Sequence, residues 1–264
     1  MALTSILIAV AAILVAAIAF SMVGVGGGVI YVPILLALGM SVHDAATISL
    51  FAIVATSSSA ALIYRRRSAI DWKLALVIEP STFVMAFAGG LVANYMDATA
   101  LKIVFACVLI VASFFMMRPV SEKVRSEPHG WGYWRRQMGE NRYVVRLRPL
   151  MPLTTVAGFI AGLIGVSGGV FKMPSMVLAG GVPMRIAIGT SSLMVTATAI
   201  AGLSGHLTGG SFPVVVALPL AAAAFVGGRL GSSLSVRVRV PVLRLVFAII
   251  LFLIAAWMII STLL

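Results

Sequence analysis

The chain has 264 residues, 61% hydrophobic and only 10% charged, where a soluble globular domain carries about 25% charged residues. Nineteen Lys and Arg against seven Asp and Glu leave a net charge of +12, and Cys107 is the single cysteine. This composition excludes a water-soluble enzyme, a disordered chain and a disulfide scaffold; it points to a polytopic membrane protein whose basic residues gather on the cytoplasmic side.

A bilayer-crossing helix needs about 20 mostly apolar residues. Ten runs approach that length: 3–22, 24–40, 42–63, 73–94, 99–117, 149–164, 166–181, 184–205, 211–232 and 241–263. The first has no basic residue ahead of its apolar stretch, so it reads as a retained span and not as a cleaved signal. The second, sixth and seventh are short and marked by Gly or Pro, which leaves broken or re-entrant helices as an alternative to full spans. The extended polar segment is 118–148, with eight basic residues, three acids and the interleaved aromatics Trp131, Tyr133 and Trp134. It reads as a cytoplasmic linker lying partly on the membrane surface, between membrane units 1–117 and 149–264. Topology accounts for the basic excess without a nucleic-acid partner.

The two units resemble each other. Gly24-Val25-Gly26-Gly27-Gly28-Val29 with Pro33 matches Gly165-Val166-Ser167-Gly168-Gly169-Val170 with Pro174 at a constant offset of 141. Gly39 and Gly180 continue the match, and Gly89-Gly90 pairs with Gly227-Gly228. Charge sets the expected orientation. With five spans per half and the amino terminus outside, Arg65-Arg66-Arg67, the linker, Arg185, Arg237 and Arg239 all fall inside. The carboxy terminus then also lies outside. An odd span count makes the halves antiparallel, the inverted-repeat plan of many secondary transporters. Lys102 is the exception, a basic residue near the outer face. The expected fold is all-α and polytopic, with two inverted-topology repeats of about five transmembrane or re-entrant helices each. If 24–40 and 166–181 are re-entrant, the repeats become parallel instead.

The candidate chemistry sits at the glycine blocks. Gly26, Gly27 and Gly28, and Ser167, Gly168 and Gly169, interrupt apolar runs where glycine weakens a helix by about 1 kcal/mol relative to alanine. Broken backbone at membrane depth must line a cavity or be buried in protein. The amides opening the next helix suit an anion. Close helix packing is the other reading of the same glycines. Lys172 follows the second block by three residues and aligns with Tyr31. It either counters an anionic substrate or snorkels to an interface. Thr190 and Ser191 can donate to an oxyanion or bond their own helix. Glu79, just before Pro80, is the acid well inside a span. It reads as a proton carrier or as a structural partner of a cation such as Lys73 or Arg229. His43, His129 and His206 lack metal-ligand spacing, and no catalytic or ATP-binding motif is present, so neither a metal nor a cofactor is expected.

The duplicated glycine–proline block, followed in the second half by Ala187-Ile188-Gly189-Thr190-Ser191, resembles the TauE/SafE family of membrane transporters. Thr47-Ile48-Ser49 stands where the second half has its Gly-Thr-Ser run, a departure between the half-sites. The resemblance implies an exporting carrier of sulfite, organosulfonates or related sulfur anions in the prokaryotic plasma membrane. Its partners are then a small anion and the bilayer. The expected mechanism is alternating access with Glu79 as proton carrier; an anion channel, or an uptake carrier for another small oxyanion or carboxylate, is the alternative.

Overall fold

A computed structural model describes residues 3–117, 132–139, 141–166, 168–209 and 212–235, with 249, 252–253 and 255–256 beyond. Ser167, residues 118–131 and most of the tenth span lie outside the described residues. The helices are α1 (Leu3–Ser21), α2 (Gly28–Ala37), α3 (Val42–Arg66), α4 (Trp72–Ala93) and α5 (Ala98–Met117) in the first half. The second half has α6 (Leu147–Ile164), α7 (Gly169–Pro174), which runs on as a π-helical turn Ser175–Ala179, α8 (Met184–Leu207) and α9 (Val214–Leu234).

Six helices, among the described residues, are long and apolar enough to cross a membrane: α1, α3, α4, α6, α8 and α9. The sixth span, expected to be short, is one of them: α6 starts at Leu147, inside the segment assigned to the linker. The helix starts follow capping chemistry. Ser41 accepts the Asp44 amide at 3.1 Å ahead of α3, and Asp71 accepts the Leu74 amide at 3.1 Å ahead of α4. Arg65 and Arg66 end α3, where cations suit the carbonyl end of the dipole.

The breaks are real. Gly24, Gly26 and Gly27 have φ of +73°, +85° and +83°, and Gly165 has +70°. Only glycine adopts that left-handed backbone without strain. α2, with 10 residues, is about 15 Å long. It does not cross alone, yet the whole segment does. Ser21, ending α1, accepts the Tyr64 hydroxyl at 2.8 Å near the end of α3. Residues 22–41 therefore return across the molecule to the start of α3. Likewise Gly162 of α6 lies beside His206 near the end of α8 (2.8 Å), so 165–183 crosses back to the start of α8. Neither segment folds back to the end where it began.

α3 runs opposite to α8, and α4 opposite to α9. The start of α4 meets α8 near its start, where Thr190 accepts the Asp71 amide at 2.9 Å. The other end of α4 meets the end of α8, where Asn94 donates to Gly205 O at 3.0 Å, and also the start of α3, where His43 Nε2 lies 3.1 Å from Ala93 O. α3 and α8 are thus antiparallel. α9 ends where α4 begins, since Arg67 donates to Ser232 O and Ser233 O at 3.0 and 3.1 Å. The halves interlock: α1 and α3 pack on α9, while α6 and α8 pack on α4. α3 and α8 form the centre, with 67% and 72% of their apolar windows buried, against 33% for α1 and α4. The outer helices turn Leu7, Val15, Leu76, Val84, Val215 and Leu218 outward, as lipid contact requires.

The linker holds a feature that its composition did not suggest. Tyr133–Met138 (β1) and Asn141–Arg146 (β2) form an antiparallel hairpin, paired from Tyr133 with Arg146 to Met138 with Asn141. It docks on the helix ends. Tyr143 and Val145 are buried against Leu74, Ile78, Met176 and Met194, with Trp134 and Met138 alongside. The alternation of buried and half-buried side chains through Tyr143-Val144-Val145-Arg146 reflects this one buried face.

Candidate functional site

The breaks cross near the middle of α8. A Cβ on Gly169 would stand 2.8 Å from both Val25 O and the Val195 side chain. A Cβ on Gly165 would stand 2.5 Å from Ala46 Cα of α3, and one on Gly24 2.9 Å from Ile188 Cα of α8. Each break is thus pressed onto the central helix of the other half. Gly26, Gly27 and Gly28 are buried in this crossing, as are Gly168 and Gly169. Both readings of the glycines meet here, since the backbone is broken and tightly packed, and the crossing is closed.

The side chains one turn after each break fold back over it. Tyr31 is fully buried, with its hydroxyl 2.7 Å from Thr56 Oγ1. Lys172 occupies the matching place in the second half and is also fully buried. Its Nζ donates to Glu79 Oε2 at 2.8 Å, to Thr82 Oγ1 at 3.1 Å and to Thr198 Oγ1. Thr198 in turn donates to Glu79 Oε1 at 2.6 Å. Glu79 therefore pairs with Lys172, not with Lys73 or Arg229, and Lys172 does not reach an interface. The structure joins the two groups that the sequence placed in separate roles. It adds Thr82 and Thr198, which sequence reasoning missed. Thr82 had a signal: it follows Glu79 by three residues, on the same helix face.

Thr190 and Ser191 lie elsewhere. Thr190 receives the Asp71 amide, and Ser191 donates to Gly24 O at 2.9 Å, closing the first break. Neither hydroxyl points to Lys172. His43 and His206 face backbone carbonyls at the end away from the hairpin. A cavity at that end is lined by Val32, Leu36, Ala46, Leu101, Lys102 and Leu163. Lys102, the basic residue that the charge pattern left out of place, thus borders a hollow next to the second break.

Below the ion pair, the hairpin seals the basic end. Asp71, 1% exposed, accepts Arg136 Nε at 2.9 Å, Arg136 Nη2 at 2.5 Å and the Tyr143 hydroxyl at 2.5 Å. Burial pushes the Asp71 carboxyl up, but the Arg136 and Tyr143 hydrogen bonds and the Leu74 amide outweigh it and hold it below the usual carboxylate range. Arg136 also stacks its guanidinium 4.5 Å from the Trp134 ring centroid.

The family described as Sulfite exporter TauE/SafE matches residues 9–258. The probable membrane transporter protein YunE of Bacillus subtilis is 25% identical over 250 residues, covering 90% of this chain and 92% of its own. A probable membrane transporter protein of Methanocaldococcus jannaschii is 25% identical over 247 residues, covering 88% and 86%. The probable membrane transporter protein YfcA of Escherichia coli is 26% identical over 217 residues, covering 79% and 73%. No solved structure matches the chain.

Proposed function

The chain belongs to the Sulfite exporter TauE/SafE family, and from that premise we propose that it is a secondary carrier of a small sulfur-containing oxyanion, sulfite or an organosulfonate. It works by alternating access, moves the anion outward down its own gradient, and uses Glu79 as a proton-coupling group. The observation that carries this reading is the buried ammonium of Lys172, held at the crossing of two broken helices. An ammonium at membrane depth is costly unless it serves a partner or a pathway.

Antiparallel α3 and α8, and two returning segments that cross fully, support the inverted five-plus-five plan. Arg65 to Arg67 and the hairpin cluster at one end, which by the positive-inside rule is cytoplasmic. The start of α1 then lies outside, and so does the cavity bordered by Lys102. The glycines let the two halves touch, so a small rocking motion opens one side as it closes the other. Gly24, Gly165 and Gly169 permit the close backbone approach, and Ser191 fixes the first break. Thr190 anchors the hairpin end. The anion binds at Lys172, with the Thr198 hydroxyl as a second donor.

The test is counterflow in proteoliposomes. Vesicles loaded with unlabelled sulfite should take up labelled sulfite faster than empty ones. Large currents without such exchange would make the protein a channel, and absence of any flux of sulfite or organosulfonates would overturn the reading.

A further inference from the structure

We propose that the Glu79 carboxylate is an internal stand-in for the transported anion: it occupies the seat on Lys172 that the substrate takes, so anion and Glu79 proton bind together and travel together. The inference rests on the carrier reading above and deepens it.

An ammonium has three N–H donors. In this structure Glu79, Thr82 and Thr198 take all three, and Lys172 is fully enclosed. An incoming anion cannot be added to that shell; it must replace a member. The threonines are neutral and fixed in α4 and α8. Glu79 is the one charged partner, and its charge is what an anion would duplicate. Two negative charges beside one ammonium repel and lose hydration, so Glu79 must take a proton as the anion arrives.

The geometry of the seat describes its occupant. Glu79 presents two oxygens to two different donors, Oε2 to Lys172 and Oε1 to Thr198 at 2.6 Å. A sulfonate, a hydrogensulfite or a small carboxylate presents the same two-oxygen edge with one negative charge. The charge balance is then equal in both states. Empty, Lys172 is neutralised by Glu79. Loaded, it is neutralised by the anion, with Glu79 protonated from the water on the open side and deprotonated to the water on the other. Neither state carries an unpaired charge through the closed crossing. With a monoanion, transport is electroneutral, one proton per anion.

The other charged or titratable groups on the elements around Glu79 sit at element ends or in the hairpin. Asp71 and Lys73 begin α4, Arg148 begins α6, Arg185 and His206 lie near the two ends of α8, and Arg136 and Tyr143 belong to the hairpin. Between α4 and α6 the contact at this level is neutral, Thr155 donating to Ser81 at 3.0 Å.

The experiment uses the full chain in proteoliposomes, with sulfite and with methanesulfonate, which has no titratable proton of its own. Wild-type uptake should follow an inward proton gradient and ignore a potassium diffusion potential. Glu79→Gln should keep exchange of labelled for unlabelled anion and lose net uptake at least tenfold, because its empty state leaves Lys172 unpaired at the crossing. Flux that follows the diffusion potential and ignores the proton gradient overturns the proposal while leaving the carrier reading intact. So does Glu79→Gln with net uptake unchanged. If that variant does not fold, the two gradients applied to wild type decide alone. If wild type moves neither probe, the carrier reading falls and the proposal with it.

Discussion

The Lys172 ammonium and the Glu79 carboxylate meet at 2.8 Å although 93 residues separate them, one on α7 in the second half and one on α4 in the first. This pair is a charged link between the halves at the level where the broken helices cross. Lys172 is fully buried and Glu79 keeps 13% of its side chain exposed. Breaking such a pair from one side costs about 3–5 kcal/mol, while replacing both partners with apolar groups can be nearly neutral. Lys172→Met should fall near the low end of that range because Glu79 is not wholly enclosed. Lys172→Met with Glu79→Leu should recover most of the loss in thermal unfolding. Both variants should fail to bind sulfite, measured by ligand-induced shift of Tm.

The crossing makes two adjacent glycines unequal. Gly169 has no room for a Cβ between Val25 and Val195, whereas one on Gly168 would meet nothing nearer than 3.4 Å. Gly169→Ala should destabilise by about 1–3 kcal/mol through overpacking and reduce transport. Gly168→Ala, at an ordinary helical φ of −58°, should leave stability within about 0.5 kcal/mol, the usual scatter of a harmless substitution. Equal losses from both in denaturation and flux assays would contradict the geometry.

Thr190 and Lys172 should separate cleanly in a binding assay. Thr190→Val strands the buried Asp71 amide, at a cost of about 1–3 kcal/mol, yet the anion Kd should stay within about twofold because the hydroxyl does not face the ion pair. A large loss of affinity would return Thr190 to the anion seat.

The hairpin latch has a defined pH window. The Asp71 carboxyl is held below its ordinary value of 3.8 in the folded protein. A lowered folded value means that the unfolded state binds the proton more readily. The stabilisation is complete well above pH 3.8 and is lost as pH falls through the lower folded value. Docking of the hairpin, followed by Trp134 fluorescence, should therefore hold at neutral pH and loosen only in strong acid. Asp71→Asn should loosen it at neutral pH and leave the acid response flat.

Much of the frame was legible in the sequence. Repeated Gly and Pro at a fixed offset located the breaks. Tyr31 and Lys172 align by that offset, and they do occupy matching places. What spacing could not give was the partner of Lys172, since contacts between α4, α7 and α8 are set by how interlocked halves pack. Of the aromatics read as headgroup anchors, Trp134 packs beside the hairpin's buried face while Tyr133 stays exposed, because Trp and Tyr suit both a membrane surface and a hairpin face. Turn residues Gly139 and Asn141 between short runs bearing Tyr, Trp and Val were the overlooked signal. Thr190 and Ser191 carried the right chemistry for an oxyanion, but a hydroxyl near a helix start also suits a backbone amide, and packing chose that use for Thr190.

The interlocking has a consequence for synthesis. α4 finds its main neighbours, α6 and α8, only in the later half of the chain, and α9 finds α1 and α3 only in the earlier half. Until α7 is made, α4 must wait in the bilayer with Glu79 lacking its cation, Lys172. A truncated product would thus hold an unpaired carboxyl at membrane depth, a mark by which membrane quality control could tell an unfinished protein from a complete one.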